Sequence, residues 1–512
     1  MDGYILAHDL GTSGNKATLY RPDGTLAASV VASYPVSYPH PGWVEQDPED
    51  WWQAVCASTR KLLEKSGADP REILCVSFSG QMMGCLLVDR DGVPLRPMIT
   101  WADTRAGAQE KRIMEAVGME RVYAITGHRA SASYSAAKLL WVRDNEPEVF
   151  ARAHRMLHAK DFLVYRFTGR FLTDYSDASG TNLFDLRKKC WSEEICQGLD
   201  IPMELLPEAV PSATVAGGML PEAAGKCGLC AGTPVVVGGG DGSCACVGAG
   251  VTAKGSAYCV MGSSAWISTA GTEPVFDQQM RTFNWIHLDP ELYTPCGTMQ
   301  AAGVSYSWFR DVLCPEERRL AEEQGVSAYT LINSLAEKAP AGAGGLLYLP
   351  YLLGERSPRW DHEARGAFIG LSASTSRGEM ARSVMEGVGF NLKTILDVVQ
   401  GQAPTESLTM IGGGTKGRLW LQILADIWQK PLTLPAYREE ATSLGAAVCG
   451  GVGIGLYPDY HVAVKMNPGV ERVTPNEEKG AQYQRLYEVF ENAYTALKPV
   501  YRQLAQLREG GL

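Results

Sequence analysis

Residues 4–20 read YILAHDLGTSGNKATLY, in which two short apolar segments flank a turn of glycine and hydroxyl residues. Apolar runs of this length favour strands, and the small turn residues favour a tight reversal, so the stretch predicts a β-hairpin. A second hairpin of the same kind follows half a chain later, where AYCVM and AWIST flank Gly262-Ser263-Ser264. The echo predicts a duplicated core, each half of which opens on one hairpin.

The halves are predicted to divide between residues 250 and 251, giving domains over 1–250 and 251–512. The first half closes on VVVGGGDG at 235–242, a strand that runs into a glycine-rich turn, and a further strand is predicted over 407–411. Apolar residues recur at helical spacing in three segments, 48–63, 377–399 and 417–427. Strands and helices alternate in both halves, which predicts an α/β architecture.

The composition is that of a globular enzyme, with 512 residues of which 45% are apolar and 20% charged. The net charge of -10 argues against nucleic acid and anionic membrane as partners, since both attract basic faces. No apolar run reaches the length of a membrane span, and the first residues lack the basic segment of a signal peptide. We therefore predict a cytoplasmic protein without a membrane partner.

Thirteen cysteines are scattered along the chain, which favours free thiols over a disulfide framework. Cys227 and Cys230 have the spacing of a zinc-binding pair, and Cys244 and Cys246 lie downstream. A structural zinc site needs a second pair at a familiar spacing, and the sequence does not supply one. We therefore favour thiols without a metal.

The turn of the first hairpin combines groups that suit a polyphosphate. Glycines let backbone N–H groups approach an anion, while hydroxyl and ammonium groups add donors. The candidate ATP contacts in this turn are Gly11, Thr12, Ser13 and Lys16. Asp9, at the end of the preceding strand, is a candidate for holding Mg²⁺ through water. The alternative is a plain hairpin turn with an exposed aspartate; neither a P-loop nor a dinucleotide-binding fingerprint occurs here.

The second turn, Gly262-Ser263-Ser264, could meet the same phosphate chain from the opposite side of a cleft. A third glycine-rich turn at 412–414 precedes a helix and suits the nucleoside end of ATP, although such a turn is more often only a connection.

Asp241 follows three glycines at a strand end, where a carboxylate can accept a hydroxyl proton during phosphoryl transfer. The alternative for Asp241 is a helix N-cap.

Two long spaced patterns carry a resemblance to a known family. Residues 4–16 look like its first phosphate loop, 133–145 fit its first signature, and 366–386 fit its second. The chain thereby resembles the FGGY carbohydrate kinases, most closely their xylulokinase branch, to which 41–52, 348–358 and 443–447 are also similar. The resemblance runs from about residue 4 to residue 455. It implies two ribonuclease-H-like α/β domains of the actin/hexokinase superfamily with a cleft between them.

The resemblance also implies roles by position. Asp241 corresponds to the catalytic base and Asp9 to the metal-associated aspartate, with both carboxylates facing Mg²⁺ through water. Further ATP contacts are implied at Gly262, Ser263, Ser264, Gly303, Gly413 and Gly414. The sugar is expected to contact Gln81, Met82, Met83, Trp101, Asp103 and Asp241.

Several positions depart from the xylulokinase pattern. Met83 stands where a sugar-binding histidine is common, and Gly242 stands where an asparagine often follows the base. A thioether cannot donate a hydrogen bond to a sugar hydroxyl. Thr415 and Gly417 replace the usual residues of the adenosine motif. The implied reaction is ATP-dependent phosphorylation of D-xylulose to D-xylulose 5-phosphate, and another ketopentose, a ketotetrose or a small polyol remains an alternative.

A hypothesis from another class is a non-catalytic relative, such as a filament, a chaperone-like ATPase or a sugar-sensing repressor. A repressor would need a basic helix pair before the first hairpin, and a chaperone a peptide-binding region after the ATPase; we expect neither. Retention of both Asp9 and Asp241 also favours an enzyme. The predicted partners are ATP and a small sugar, without nucleic acid, and a homodimer is left open.

Overall fold

The computed structural model of the chain describes residues 3–400 and 404–509. Within these residues the strands form two mixed seven-stranded sheets and several short pairs. The strands of the first sheet are β1 Tyr4–Leu10, β2 Gly14–Tyr20, β3 Leu26–Ser33, β4 Ile73–Gly80, β5 Val215–Gly218, β6 Pro234–Val236 and β7 Gly239–Gly240. The strands of the second sheet are β8 Ala257–Met261, β9 Ala265–Thr269, β10 Phe283–Ile286, β11 Tyr293–Met299, β12 Leu408–Ile411, β13 Leu432–Pro435 and β14 Gly469–Val473.

Both sheets are built around the strand that opens the hairpin of their half. β1 pairs antiparallel with β2 and parallel with β4, and β8 pairs in the same two ways with β9 and β12. The first sheet has the order β5-β6-β4-β1-β2-β3, with β7 beside β4, and the second has the order β10-β11-β9-β8-β12-β13-β14. The shared arrangement confirms the duplicated core that the two hairpins predict, and with it the α/β fold class.

Helices cover the sheets and connect their strands. The helices are α1 Pro48–Ser66, α2 Gly107–Ala116, α3 Met119–Thr126, α4 Ser135–Asn145, α5 Pro147–Arg152, α6 Ala159–Thr168, α7 Tyr175–Ala178, α8 Glu193–Gly198, α9 Pro221–Cys227, α10 Asp241–Gly248, α11 Gly303–Leu313, α12 Pro315–Gln324, α13 Ala328–Lys338, α14 Arg377–Val399, α15 Arg418–Trp428, α16 Ala441–Gly453, α17 Val462–Met466 and α18 Glu477–Glu509. The short paired strands are Glu45–Gln46 with Met98–Ile99, Leu86–Val88 with Arg155–Leu157, Leu172–Asp174 with Glu208–Val210, Phe184–Asp185 with Cys190–Trp191, and Leu347–Leu349 with Ala367–Ile369. Of the helices described, none combines the length and the apolar character that crossing a bilayer requires.

Two of the three predicted helices begin at side-chain capping signals, and the third, α15, follows Gly417 without a side-chain cap. The Asp47 side chain accepts a hydrogen bond from Glu49 N before α1, and Pro48 occupies the first turn, where its missing N–H leaves no intrahelical bond unmade. Ser376 and Glu379 form a capping box at the start of α14. The periodic segments predicted from the sequence are thereby confirmed as α1, α14 and α15.

Helix α16 belongs to the second half of the sequence but packs on the first sheet and on α10. The close approach of α16 to α10 requires glycine on the inner face of α16, because a Cβ at Gly445 would collide with the carbonyl oxygen of Cys244 in α10. A Cβ at Gly450 would lie only 3.0 Å from that of Ser77 on β4. The predicted boundary at residue 250 follows the end of α10, and α16 returns across it to pack on the first sheet.

Candidate active site

The two aspartates singled out from the sequence lie at one edge of the first sheet. Asp9 pairs with Ser79 across β1 and β4, and Ser79 Oγ donates a hydrogen bond of 2.9 Å to Asp9 Oδ1. Gly240, the last residue of β7, pairs with the last residue of β4, so Asp241 follows immediately at the first turn of α10. The parallel pairing therefore brings both carboxylates to the carboxyl ends of neighbouring strands.

The surroundings of this edge raise the pKa of both aspartates. Loss of solvent contact and, next, the negative charge of Asp9 raise the pKa of Asp241 to about 7, while a hydrogen bond from Gly242 N opposes the shift. Loss of solvent contact also raises the pKa of Asp9, against the opposing effects of Ser79 and Lys16. The two carboxylates provide hard oxygen ligands, which fit a magnesium ion held directly or through water.

The turn of the first hairpin is hydrogen-bonded, directly or through Gln46, to residues predicted for the sugar site. Gly11 N donates to Gly14 O over 3.0 Å, which closes the turn. Trp101 Nε1 donates to Thr12 Oγ1 over 3.1 Å. Gln81 Nε2 donates to Gln46 Oε1 over 2.6 Å, and Gln46 Nε2 in turn donates to the carbonyl of Thr12. The structure thus places Gln81 and Trp101 against the turn that is expected to hold phosphate.

We expect Gly11→Val to raise the KM for ATP roughly tenfold, about the loss of one hydrogen bond to a charged group, because its branches block the approach of an anion to the backbone. The fold should tolerate the change, since a Cβ at Gly11 would meet only Gly14 O, at 3.6 Å. Nucleotide titration measures the effect. Gly107→Val is a matched control, because no atom of the described residues lies within 4 Å of a Cβ there. An unchanged ATP affinity in Gly11→Val would show that the first turn is not a phosphate loop.

The turn of the second hairpin lies close to the remaining glycines of the predicted ATP site. Gly303 N donates to Gly262 O over 3.0 Å, and a Cβ at Gly303 would collide with that same oxygen. Gly413 and Gly414 lie in a short 3-10 turn, and a Cβ at Gly414 would lie 2.9 Å from that of Met261 at the end of β8. The second hairpin turn, the start of α11 and the turn after β12 therefore form one glycine-lined surface.

Two predicted site residues are engaged elsewhere in this structure. Lys16 Nζ donates to the carbonyl of Glu439 over 2.6 Å, a contact that spans the two halves of the chain. The Asp103 carboxylate is fully buried, accepts Val44 N over 2.6 Å and forms an ion pair with Arg105. Neither Asp103 nor Gln81 lines the cavity described next, and their contacts with the sugar stay predictions.

A cavity of about 140 Å³ opens beside Asp241 between the two sheets. Met82, Met83 and Trp101, all predicted sugar contacts, line it together with residues that the sequence analysis did not assign to the sugar site. The additional lining residues are Tyr134, Gly242, Tyr258, Trp266, Ser268, Phe283, Trp285, Thr294, Cys296, Thr298 and Arg356. Six of the fifteen lining residues are aromatic, and the others include a few hydroxyl and charged groups, a mixture that is typical of a small-molecule site.

Most of the additional residues lie on one face of the second sheet. The register pairs Tyr258 with Ser268 and Ser268 with Cys296 across three neighbouring strands. Trp266 lies opposite Thr298 in the same way. Residues two apart on a strand share a face. The two-residue spacing of Trp266 and Ser268, and of Cys296 and Thr298, is therefore the signal that could have revealed this wall.

Two polar atoms in the cavity wall lack partners among the described residues. Arg356 Nε and Thr298 Oγ1 are both buried and form no hydrogen bond there. An unpaired buried donor is costly unless a ligand satisfies it. The wall thus offers hydrogen bonds to a molecule that carries hydroxyl or carboxylate oxygens, within reach of a carboxylate base.

Two similar sheets, a glycine-rich turn from each half, and an aspartate beside a cavity with free polar atoms together define a kinase for small hydroxylated molecules. The FGGY family of carbohydrate kinases matches with its N-terminal domain over residues 4–248 and its C-terminal domain over residues 257–454. The chain belongs to this family. It is a carbohydrate kinase, and the non-catalytic hypothesis is set aside.

Relatives and solved structures agree with this class. The chain is 33% identical over 508 residues to the xylulose kinase of Bacillus subtilis strain 168, with 99% of each chain covered. The crystal structure of a gluconate kinase from Lactobacillus acidophilus superposes with a TM-score of 0.92 at 28% identity, covering 98% of this chain and 99% of that one. A ligand-bound xylulose kinase from the same organism superposes with a TM-score of 0.91 at 28% identity, covering 98% and 100%.

Proposed function

We propose that the chain transfers the γ-phosphoryl group of ATP to D-xylulose, giving D-xylulose 5-phosphate and ADP. The observation that carries this proposal is the cavity beside Asp241, whose Arg356 Nε and Thr298 Oγ1 lack partners in the described part of the chain. The names of similar proteins support the choice of sugar. The proposed reaction uses the site residues predicted from the sequence, of which Lys16 and Asp103 also make the contacts described above.

In this mechanism Asp241 accepts the proton of the attacking sugar hydroxyl. The hydroxyl oxygen then bonds to the γ-phosphorus while the bond from that phosphorus to the bridging oxygen of ADP breaks. A carboxylate with a pKa near 7 is suited to this role, because it is both available and basic at neutral pH. The backbone N–H groups of the two glycine-rich turns would hold the phosphates in line.

Magnesium is the ion implied by this chemistry, and Asp9 and Asp241 are the residues that would hold it. When bound, it neutralises phosphate charge. Ser79 fixes the orientation of the Asp9 carboxylate through the hydrogen bond to Oδ1. Approach of the two sheets around the substrates would exclude water that could otherwise attack ATP.

A second candidate substrate is a sugar acid such as gluconate. The Arg356 guanidinium favours it, because the buried Nε has no partner among the described residues and arginine pairs well with carboxylates. A different ketopentose, a ketotetrose and a small polyol are also candidates, since each carries hydroxyl oxygens that could pair with the same donors.

A coupled ADP-release assay separates these candidates. The panel contains D-xylulose, L-xylulose, D-ribulose, erythrulose, xylitol and gluconate, each at varied concentration with magnesium and ATP. We expect the highest kcat/KM on D-xylulose. A clear preference for gluconate would support the second candidate, and a lack of sugar-dependent ADP release across the panel would contradict the proposed function.

A further inference from the structure

The first turn of α4 holds two consecutive carbonyls of the loop that carries the predicted sugar contacts. Ser135 Oγ donates to Gly84 O over 2.7 Å. Lys138 Nζ donates to Met83 O over 2.7 Å and to Ser133 O over 2.6 Å. Ser135 and Lys138 are three residues apart, so both lie on the same face of the helix. Their donors therefore act together on the Met83–Gly84 peptide segment.

The loop needs such support because Met83 adopts a left-handed conformation. Its φ is 63°, a region that glycine enters freely and a methionine seldom does. Strained residues of this kind persist only where their surroundings hold them in place. The Met83 side chain lines the cavity. A change in the Met83 backbone would therefore move a wall of the cavity.

A lysine is unusual in a place as buried as that of Lys138. It is 0% exposed, and the partners that its ammonium group has among the described residues are backbone carbonyls. Burial of its charge lowers its pKa to about 7. Since an apolar side chain would occupy the same space with a smaller desolvation penalty, stability alone gives no reason for a lysine. Its two hydrogen bonds to backbone carbonyls supply one.

Ser135 is in turn fixed by a buried charged cluster. Its single hydrogen goes to Gly84 O, so it must accept a hydrogen from His158 Nε2, which lies 3.0 Å away. His158 Nδ1 lies 2.9 Å from the Asp177 carboxylate. Burial alone would lower the pKa of His158, but the charges of Asp177 and Asp161 outweigh it and raise the pKa, which favours the protonated ring.

The cluster behind His158 already contains its own cation. Lys160 Nζ lies 2.6 Å from Asp161, 2.9 Å from Asp174 and 3.3 Å from Asp177. The ammonium group lies among the carboxylates that could otherwise hold a metal ion. The cluster is thus a rigid base for the α4 contacts and gives no support for a second metal site.

We propose that Lys138, assisted by Ser135, is a positioning residue that fixes the left-handed Met83 turn for sugar binding. The inference rests on the proposed function, because it takes the Met82–Met83 loop as a sugar contact. Lys138 touches backbone carbonyls and is not placed among the reacting groups. Loss of its donors should therefore weaken sugar binding and leave ATP binding unchanged.

Lys138→Met tests this directly, since methionine fills similar space without a donor. We expect the KM for the preferred sugar to rise about fivefold to tenfold, with a smaller change in kcat and the same KM for ATP, because each lost hydrogen bond is worth about 1 kcal/mol. Ser135→Ala should give a weaker change in the same direction. Arg143→Met is the matched control, because Arg143 donates to the carbonyls of Leu199 and Asp200 near the other end of α4.

A double-mutant cycle with Met83→Gly separates positioning from general destabilisation. Glycine adopts a positive φ without strain, so Lys138→Met should change the sugar KM less than about twofold when residue 83 is glycine. An equal effect of Lys138→Met in both backgrounds would overturn the proposal. If Met83→Gly alone left sugar binding unchanged, the assigned sugar site would be wrong. If Met83→Gly changed sugar binding and Lys138→Met did not, only the positioning role would fail.

Discussion

Asp241→Ala is expected to lower kcat by roughly 10²- to 10⁴-fold, because the variant loses both the general base and the group that orients the acceptor hydroxyl. The fold should remain intact. Gly240 occupies the N-cap position of α10, and the Asp241 side chain makes no capping bond to that helix beyond its contact with Gly242 N. Nucleotide affinity should persist, because the two glycine-rich turns are unchanged. Steady-state kinetics combined with nucleotide titration measure both effects.

Asp23→Ala is a suitable control for the loss of Asp241. Asp23 lies in the turn after β2, where its carboxylate accepts a hydrogen bond from Thr25 N. This control should retain full turnover. A variant of Asp241 that kept most of its kcat, with the control also active, would remove Asp241 from the role of base.

Met83→His is expected to lower kcat/KM for the preferred sugar by about 5- to 150-fold, the equivalent of about 1–3 kcal/mol for a buried polar group left without a partner. Met83 faces an apolar part of the cavity. A Cβ placed on Gly180 would lie 3.5 Å from Met83 Cγ and 2.5 Å from the ring of Trp285, so these three residues are closely packed. An imidazole would replace a thioether in a wall that provides chiefly carbon contacts.

The kinetics of Met83→His should be compared on D-xylulose and on the best substrate of the panel. Met83→Leu is the matched control, since leucine keeps the apolar contact and should change kcat/KM far less than histidine does. If Met83→His improved turnover of D-xylulose without loss on any other substrate, Met83 would be only a tolerated variant of an ordinary xylulose site. The apolar contact would then have no part in substrate choice.

The predictable parts of the fold are those encoded by neighbouring residues. The hairpins at β1–β2 and β8–β9 have their turns and apolar strands within one short stretch, and α14 carries its capping box and apolar spacing within its own sequence. The positions of Asp9 and Asp241 at strand ends can also be read from the neighbouring sequence. The strands that they follow or end, β1 and β7, both pair with β4.

The cavity wall could not be predicted in the same way. Trp266, Ser268 and Thr298 meet only because β9 and β11 pair in a particular register, and that register depends on packing between distant segments. For the same reason, the contact of Lys16 could not be predicted, because its ammonium group donates to the carbonyl of Glu439, which lies 423 residues away in the sequence. The ion pair of Asp103 with Arg105 and the hydrogen bond from Val44 N to its carboxylate likewise cannot be read from the sequence motif.

The most direct test is a crystal structure of the chain with D-xylulose, magnesium and a non-hydrolysable ATP analogue. We predict that the sugar occupies the cavity beside Asp241, with its terminal hydroxyl about 2.6–3.2 Å from that carboxylate. The phosphates should lie between the turns at Gly11 and Gly262, and an oxygen of the sugar should accept from Arg356 Nε. A sugar bound elsewhere, or one whose hydroxyls are turned away from Asp241, would contradict the account.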